Sequence, residues 1–257
     1  MSRFFPLVRK DLEASRWPVG ILSALTIGYM LLVLFKVPPG LKEQEPLIVL
    51  GAALALPLMF LPLWMFWQSF QTLRSEWRED TVYTLLVLPV PGWQVMLAKL
   101  VGLWVEYTVL IAVSLVGALL LFSGPVQSAL GALPSLSWAI QNGLLLYLAS
   151  LLLLATVVVF VQLAFVVSKM VSRLQGLVAI WTLILGGWLV DRLGLLLEPI
   201  FRWIPKLPLH KLLRLGDLRP GVVAEWNLAP KIGTWLGIVA LFVLTSYLFE
   251  HYVEVNG

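Results

Sequence analysis

Long, unbroken apolar runs separated by short polar intervals are the dominant pattern of this chain. A helix needs about 20 mostly apolar residues to cross a bilayer, and the chain contains six runs of roughly that length. They lie at about 18–35, 47–67, 97–122, 139–167, 174–190 and 233–250. Because the runs are continuous instead of alternating with period two, they predict helices and not barrel strands. We therefore predict an all-α integral membrane protein in which residues 1–257 form a single transmembrane domain.

The segment before the first run, residues 1–17, is amphipathic if it is helical. One face would hold Phe4, Phe5, Val8 and Leu12, and the other Arg9, Lys10 and Glu13. An apolar face opposite a charged face is typical of a helix that lies in the membrane interface. The segment is predicted to be an N-terminal interfacial helix.

The interval after the second run, residues 68–92, is long and charged. Residues 68–80 include no glycine or proline, so they can extend the second transmembrane helix beyond the membrane. The side chains expected to face water there are Arg74, Glu76, Arg78 and Glu79. Pro89, Pro91 and Gly92 then predict a break in the chain before the third span.

Composition agrees with a membrane environment. The chain is 60% hydrophobic and 12% charged, with a mean hydropathy of +0.92, whereas about a quarter of the residues of a soluble domain are charged. The net charge of +4 comes from basic residues that flank the apolar runs, as membrane insertion requires, so no nucleic-acid partner is predicted. Without cysteine in these residues, disulfides, thiol nucleophiles and cysteine metal ligands are excluded.

Lysine and arginine are unevenly distributed between the two sides of the predicted helices. The N-terminal segment, the 68–92 connection and the turn after the fourth span hold most of the basic residues of the short loops. This bias predicts that these segments and both termini face the cytoplasm. Residues 191–232 are also basic, but six crossings place them outside, as a long extracytoplasmic loop.

The 68–92 connection resembles the corresponding segment of ABC-2 type permeases. That segment reads approximately Glu-(Lys/Arg)-(Glu)-x-Gly-Thr-Leu-Glu-x-Leu-Leu-x-x-Pro, with the third residue optional, followed some residues later by Gly-Lys. Here the chain reads Glu76-Trp-Arg-Glu-Asp80-Thr81-Val-Tyr83-Thr-Leu85-Leu86-Val-Leu-Pro89, followed by Ala98-Lys99. Asp80 replaces the family's first glycine, Tyr83 its glutamate and Ala98 its second glycine. The predicted interfacial helix, six spans and long loop after span five also resemble the family's plan.

The resemblance implies that this chain is the membrane-spanning subunit of an ATP-driven exporter. The connection would then be a coupling helix that docks on a separate ABC ATPase subunit. The residues expected to make that contact are Arg74, Glu76, Trp77, Arg78, Glu79 and Asp80. The alternative is a solvated inner loop that satisfies the positive-inside rule. The resemblance further implies two ATPase copies and a second permease half, identical or related, in the plasma membrane of a bacterium or archaeon.

The sequence contains no Gly-x-x-x-x-Gly-Lys-Ser/Thr motif with which to bind phosphate groups. ATP and Mg²⁺ are therefore expected on the partner ATPase, and no cofactor, metal or catalytic residue is expected in this chain. Its other expected contacts are with membrane lipid.

Polar residues outside the connection provide further candidate sites. Glu106 lies within span three and Gln162 within span four; each is a candidate for the transport pathway, with hydrogen bonding between helices as the alternative. In the outer loop, Lys206, His210 and Arg214 recur every four residues. They are candidates for contact with an anionic group of a substrate, and anchoring to lipid headgroups is the alternative.

Other classes of membrane protein stay open at the level of sequence. A proton-coupled secondary transporter would use Glu106 as the proton carrier, although neither paired broken spans nor an inverted repeat is visible. A structural or regulatory subunit would need no pathway. An intramembrane metalloprotease would need several ligands at one depth, whereas the two histidines, His210 and His251, lie in a loop and beyond the last span.

Overall fold

The computed structural model describes residues 4–38, 45–78, 90–131, 135–171, 173–204, 206–208 and 225–251. Six helices in these ranges are long and apolar enough to cross a membrane, which confirms the predicted all-α membrane fold. They are α1 (Phe4–Lys36), α2 (Pro46–Arg78), α3 (Gly92–Leu121), α5 (Leu136–Lys169), α6 (Gln175–Leu197) and α7 (Leu228–His251). A short helix, α4 (Ser123–Gly131), lies between α3 and α5.

The predicted interfacial helix is not separated from the first span in the structure. α1 runs without interruption from Phe4 to Lys36, with Pro18 inside it, so residues 4–17 are not a separate interfacial helix. They form the first part of the helix that also contains the first span. Packing accounts for the continuity, because α1 contacts α3 more extensively than any other helix and already buries Val8 and Ser15 before Pro18. The location of this segment in the membrane interface stays a prediction.

The connection between the second and third spans agrees with the sequence pattern where it is described. α2 continues beyond the predicted span to Arg78, so residues 68–78 are helical as predicted. Pro91 is extended, with φ −65° and ψ 144°, and α3 begins directly after it at Gly92. Pro91 and Gly92 thus lie at the predicted break, whereas Pro89 lies outside the described residues.

The predicted outer loop, residues 191–232, is partly helical at both ends. α6 continues to Leu197 and α7 begins at Leu228, because the two helices pack closely at this point. A Cβ on Gly233 would lie 2.9 Å from the Cα of Gly194, a contact that only glycine allows. Between the helices, β1 (Leu207–Pro208) pairs antiparallel with β2 (Glu225–Trp226).

The spans alternate in direction. One end of the molecule, here called the Trp77 end, contains the starts of α1 and α3 and the ends of α2, α5 and α7, which meet in one buried apolar cluster that includes Val95, Phe165 and Phe249. Lys36 lies at the other end of α1, about 39 Å from Lys10 along the helix axis. Large apolar side chains such as Leu25, Leu120 and Leu196 are exposed on the outer surface, as expected of helices that face lipid.

Candidate functional site

Four charged side chains from α1, α2 and α3 meet at the Trp77 end. Lys99 is 3% exposed, and its Nζ donates to Oε1 of Glu76 at 2.9 Å and to the carbonyl oxygen of Thr72 at 3.1 Å. The same Nζ lies 3.4 Å from Oδ1 of Asp11. Lys10 donates to both carboxylate oxygens of Glu76, at 3.1 and 2.9 Å. This charge cluster of Lys10, Asp11, Glu76 and Lys99 has two positive and two negative groups and no net charge.

The helix directions explain why these four residues meet. α1 and α3 run the same way and α2 runs against them, so residues near the starts of α1 and α3 lie level with the end of α2. Lys99 lies in the apolar interior between buried Ala98 and Leu100, where its ammonium group is stable only if it is paired. The charge cluster therefore binds three helices to one another through a buried cation.

Burial of Glu76 corrects the prediction that this residue faces water. Its residue exposure is 5%, and its carboxylate is used within the chain by Lys10 and Lys99. Helical residues two positions apart lie on different faces, so Arg74 and Arg78 on either side of it are exposed, as predicted. The expected contacts Glu79 and Asp80 lie outside the described residues.

Trp77 joins the end of α2 to two other helices. Its ring packs edge-on against Phe165 of α5, with centroids 4.9 Å apart, and against Phe249 of α7, at 6.2 Å. Such aromatic pairs contribute about 0.5–1.5 kcal/mol beyond the area they bury. Trp77 was expected at a partner interface, and the structure shows that much of its surface is already used to hold α2 in place.

The far end of the connection is held by α7. The backbone N–H of Gly92 donates to Oε2 of Glu250 at 3.1 Å. A Cβ at position 92 would lie 2.8 Å from the carbonyl oxygen of Ser246, so the close approach of α3 to α7 requires glycine. Val90, just before α3, packs on the same buried cluster as Trp77. Both ends of the connection therefore rest on one core.

Glu106 lies further into the helix bundle. It is 3% exposed and follows Lys99 by seven residues, which is about 10 Å along α3. The side chains of Ser15 on α1 and Gln68 on α2 face its carboxyl group. Among the described residues its Oε2 has no hydrogen-bond partner. The structure thus places Glu106 in a buried seam between α1, α2 and α3.

Gln162 forms a contact between helices. Its Nε2 donates to the carbonyl oxygen of Met96 at 3.1 Å, which joins α5 to α3. The side chain is 1% exposed. Of the two roles predicted for Gln162, transport pathway and hydrogen bonding between helices, this contact corresponds to the second.

The predicted basic face of the outer loop is not helical where it is described. Lys206 is exposed and directly precedes the extended residues of β1. His210 and Arg214 lie outside the described residues. In the described ranges, no group of three histidine, aspartate or glutamate side chains is arranged to hold a metal ion.

Sequence reasoning missed three members of the charge cluster. The sequence pattern places Lys10 on the charged face of an interfacial helix, does not single out Asp11, and gives Lys99 only as the last residue of the ABC-2 motif. One signal was present, because Lys99 is an isolated cation within an apolar run and such residues usually have a buried partner. The identity of that partner depends on helix packing.

Comparison with known proteins shows the family to which the chain belongs. A family model described as ABC-2 family transporter protein matches residues 13–183, two thirds of the chain. The matched range begins within α1 and ends within α6, so it includes the connection, Glu76, Lys99 and Glu106. No curated protein is a significant match to the chain.

Proposed function

The chain belongs to the ABC-2 family of transporter proteins, and from this premise we propose that it is the membrane-spanning subunit of an ATP-driven exporter. Family membership implies association with an ABC ATPase subunit. In the proposal, this chain forms the translocation pathway and is not itself catalytic. ATP and Mg²⁺ are bound by the ATPase subunit, in keeping with the lack of a phosphate-binding loop motif in this sequence.

The observation that carries the proposal is the anchoring of the α2–α3 connection at both ends. Its first end is held by the charge cluster and by the packing of Trp77 on Phe165 and Phe249. Its second end is held by the hydrogen bond from Gly92 to Glu250. A displacement of this connection would therefore act directly on α1, α2, α3, α5 and α7, since close-packed interiors transmit displacement.

Arg74 and Arg78 are proposed to contact the ATPase subunit directly. Both are exposed near the end of α2, and their positive charges would select and orient an acidic surface. Glu79 and Asp80 would face neighbouring basic groups of the same subunit. Glu76 would act from within, by holding α2 against α1 and α3. Closure of the ATPase would drive transport by binding one arrangement of the spans more tightly than another.

The proposed assembly contains two ATPase copies and a second permease half, identical or related to this chain. Both termini and the Trp77 end face the cytoplasm, so the segment between α6 and α7 lies outside. The membrane is the plasma membrane of a bacterium or archaeon. Lys206 and the neighbouring basic residues would contact lipid headgroups at the outer surface.

Charge reversal on α2 tests the proposed contact. The double variant Arg74→Glu and Arg78→Glu should lose copurification of the ATPase subunit with a tagged chain, and with it ATP-dependent transport. The change removes two exposed cations and leaves the buried cluster intact. Lys36→Glu, an exposed cation at the other end of α1, is the matched control and should copurify normally. Normal ATPase recovery and transport with the double variant would refute the assignment.

The same experiment separates the remaining functional classes. A proton-coupled secondary transporter using Glu106 would move its substrate without a bound ATPase and without ATP. A structural or regulatory subunit would copurify with partners but would leave transport unchanged when the connection is altered. Both outcomes differ from those expected of an ABC permease.

A further inference from the structure

Two glutamates on the seam between α1, α2 and α3 are buried to nearly the same extent but have different surroundings. Glu76 is 5% exposed and contacts the ammonium groups of Lys10 and Lys99. Glu106 is 3% exposed and faces the uncharged side chains of Ser15 and Gln68. The two carboxyl groups therefore differ in their counterions and hardly at all in their access to water.

α1 offers no counterion to Glu106. Lys10 is engaged by Glu76, and Arg9 pairs with an exposed glutamate on the surface. Arg16 is exposed and lies over the Trp17 ring, 6.0 Å from its centroid. Asp11, which faces Glu106 from the charge cluster, has the same sign and would repel an ionised Glu106.

The other helices that pack on α3 add no nearby cation within their described residues. Every charged side chain of α2 lies beyond Gln68 at the Trp77 end, and Lys99 of α3 is bound by Glu76 and Asp11. α5 contains no charged residue before Lys169, and α4 contains none. The charged residues of α7 are at its two ends, at Lys231 and from Glu250 onwards.

We propose that Glu106 is a proton-binding site, at which the carboxyl group holds a proton and forms neutral hydrogen bonds with the side chains of Ser15 and Gln68. An ionised carboxylate has only acceptor atoms, and Oε2 of Glu106 meets no donor among the described residues. The neutral acid supplies a donor of its own and needs no counterion. A buried carboxyl group without a cation is more stable in that form.

A proton held here would join α3 to α1 and α2 through neutral hydrogen bonds. Its release would leave an unpaired negative charge in the seam, which only water, a cation or a change in packing could stabilise. The packing of the three helices is therefore coupled to the occupancy of this site. Binding of a proton at Glu106 is a property of the isolated chain and does not depend on coupling to an ATPase.

Infrared spectroscopy tests the proposal directly. The purified chain in lipid vesicles at about pH 7, at which an exposed glutamate is ionised, should show a carboxylic-acid C=O stretching band. Glu106→Gln should lose that band. Glu13→Gln, which alters an exposed acid paired with Arg9, should retain it. A wild-type spectrum without the band, or a Glu106→Gln spectrum that keeps it, would overturn the proposal.

Chemical labelling provides a test that needs no variant. A hydrophobic carbodiimide adds to neutral carboxylic acids and not to carboxylates, and mass spectrometry of the digested wild-type protein locates the adduct. We expect the adduct at Glu106. We expect none at Glu76, which is buried to nearly the same extent but is ion-paired. Because access is matched, labelling of Glu76 to the same extent as Glu106 would contradict the proposal.

Discussion

The buried ammonium group of Lys99 is central to the packing at the Trp77 end. It bonds Glu76 and the Thr72 carbonyl and lies near Asp11, so one side chain joins three helices. The acidic partners of Lys99 offset the unfavourable free energy of burying its charge. Lys99 likewise offsets the free energy of burying their charges. Loss of any one member would leave a charge without compensation, which is far more costly than loss of an exposed ion pair.

Lys99→Met should therefore lower the free energy of unfolding by about 3–5 kcal/mol, because Glu76 and Asp11 then share only the half-exposed Lys10. Arg9→Met removes the exposed Arg9–Glu13 pair and should lower the stability far less, because water screens that pair. Adding Glu76→Gln to Lys99→Met should restore part of the loss, which a double-mutant cycle would measure. Unfolding in detergent micelles supplies the values, and equal effects of Lys99→Met and Arg9→Met would contradict this account.

Between elements, the closest contacts are those that glycine permits. The start of α3 touches the backbone of α7 at Ser246, and α6 touches α7 at Gly194 and Gly233. Helices in a membrane associate through such close packing, because lipid provides no hydrophobic force to drive them together. The contact at Gly92 has an added role, since it positions the end of the α2–α3 connection against α7.

Gly92→Ala should destabilise the protein by about 1–3 kcal/mol, because the new methyl group cannot fit without moving α3 from α7. The Cβ would also lie 3.3 Å from the Cβ of Glu250, which weakens the hydrogen bond to that residue. Gly143→Ala, in α5 where nothing lies within 4 Å of the added Cβ, is the control. Thermal unfolding of both variants in detergent should show a loss for Gly92→Ala alone.

At the scale of the whole molecule, the six spans place the α2–α3 connection and the α6–α7 segment at opposite ends. The Trp77 end gathers Arg74, Arg78 and Lys169 with the charge cluster, whereas Arg192, Arg202 and Lys206 belong to the other end. The proposed orientation puts the first group in the cytoplasm, in keeping with the positive-inside rule. The ATPase would then act from the side on which its connection lies.

Accessibility of introduced cysteines tests this orientation, and the sequence has no cysteine of its own to interfere. Arg202→Cys should react with a membrane-impermeant thiol reagent added to intact cells. Arg74→Cys should react only after the membrane is made permeable, because it lies at the opposite end. Labelling of Arg202→Cys from the inside alone would refute the proposed topology.

The number and type of the main elements follow from the amino-acid sequence alone. The hydrocarbon thickness requires about 20 apolar residues per crossing. Each run meets this requirement by its own composition, so it can be recognised without knowledge of the rest of the chain. The break at Pro91 and Gly92 is local for the same reason, since it follows from the backbone chemistry of proline and glycine. The match of residues 13–183 to a transporter family also agrees with the motif at the connection.

Tertiary packing decides which of the charged residues are exposed and which face one another. Glu76 looked like its neighbours Arg74 and Arg78 in sequence, but it meets Lys10 and Lys99, which are 66 and 23 positions away. Burial of such a group is set by helix direction and register, and these arise from contacts between distant segments. The continuity of α1 through Pro18 and the glycine contact between α6 and α7 have the same origin, because packing outweighs the local preference of single residues.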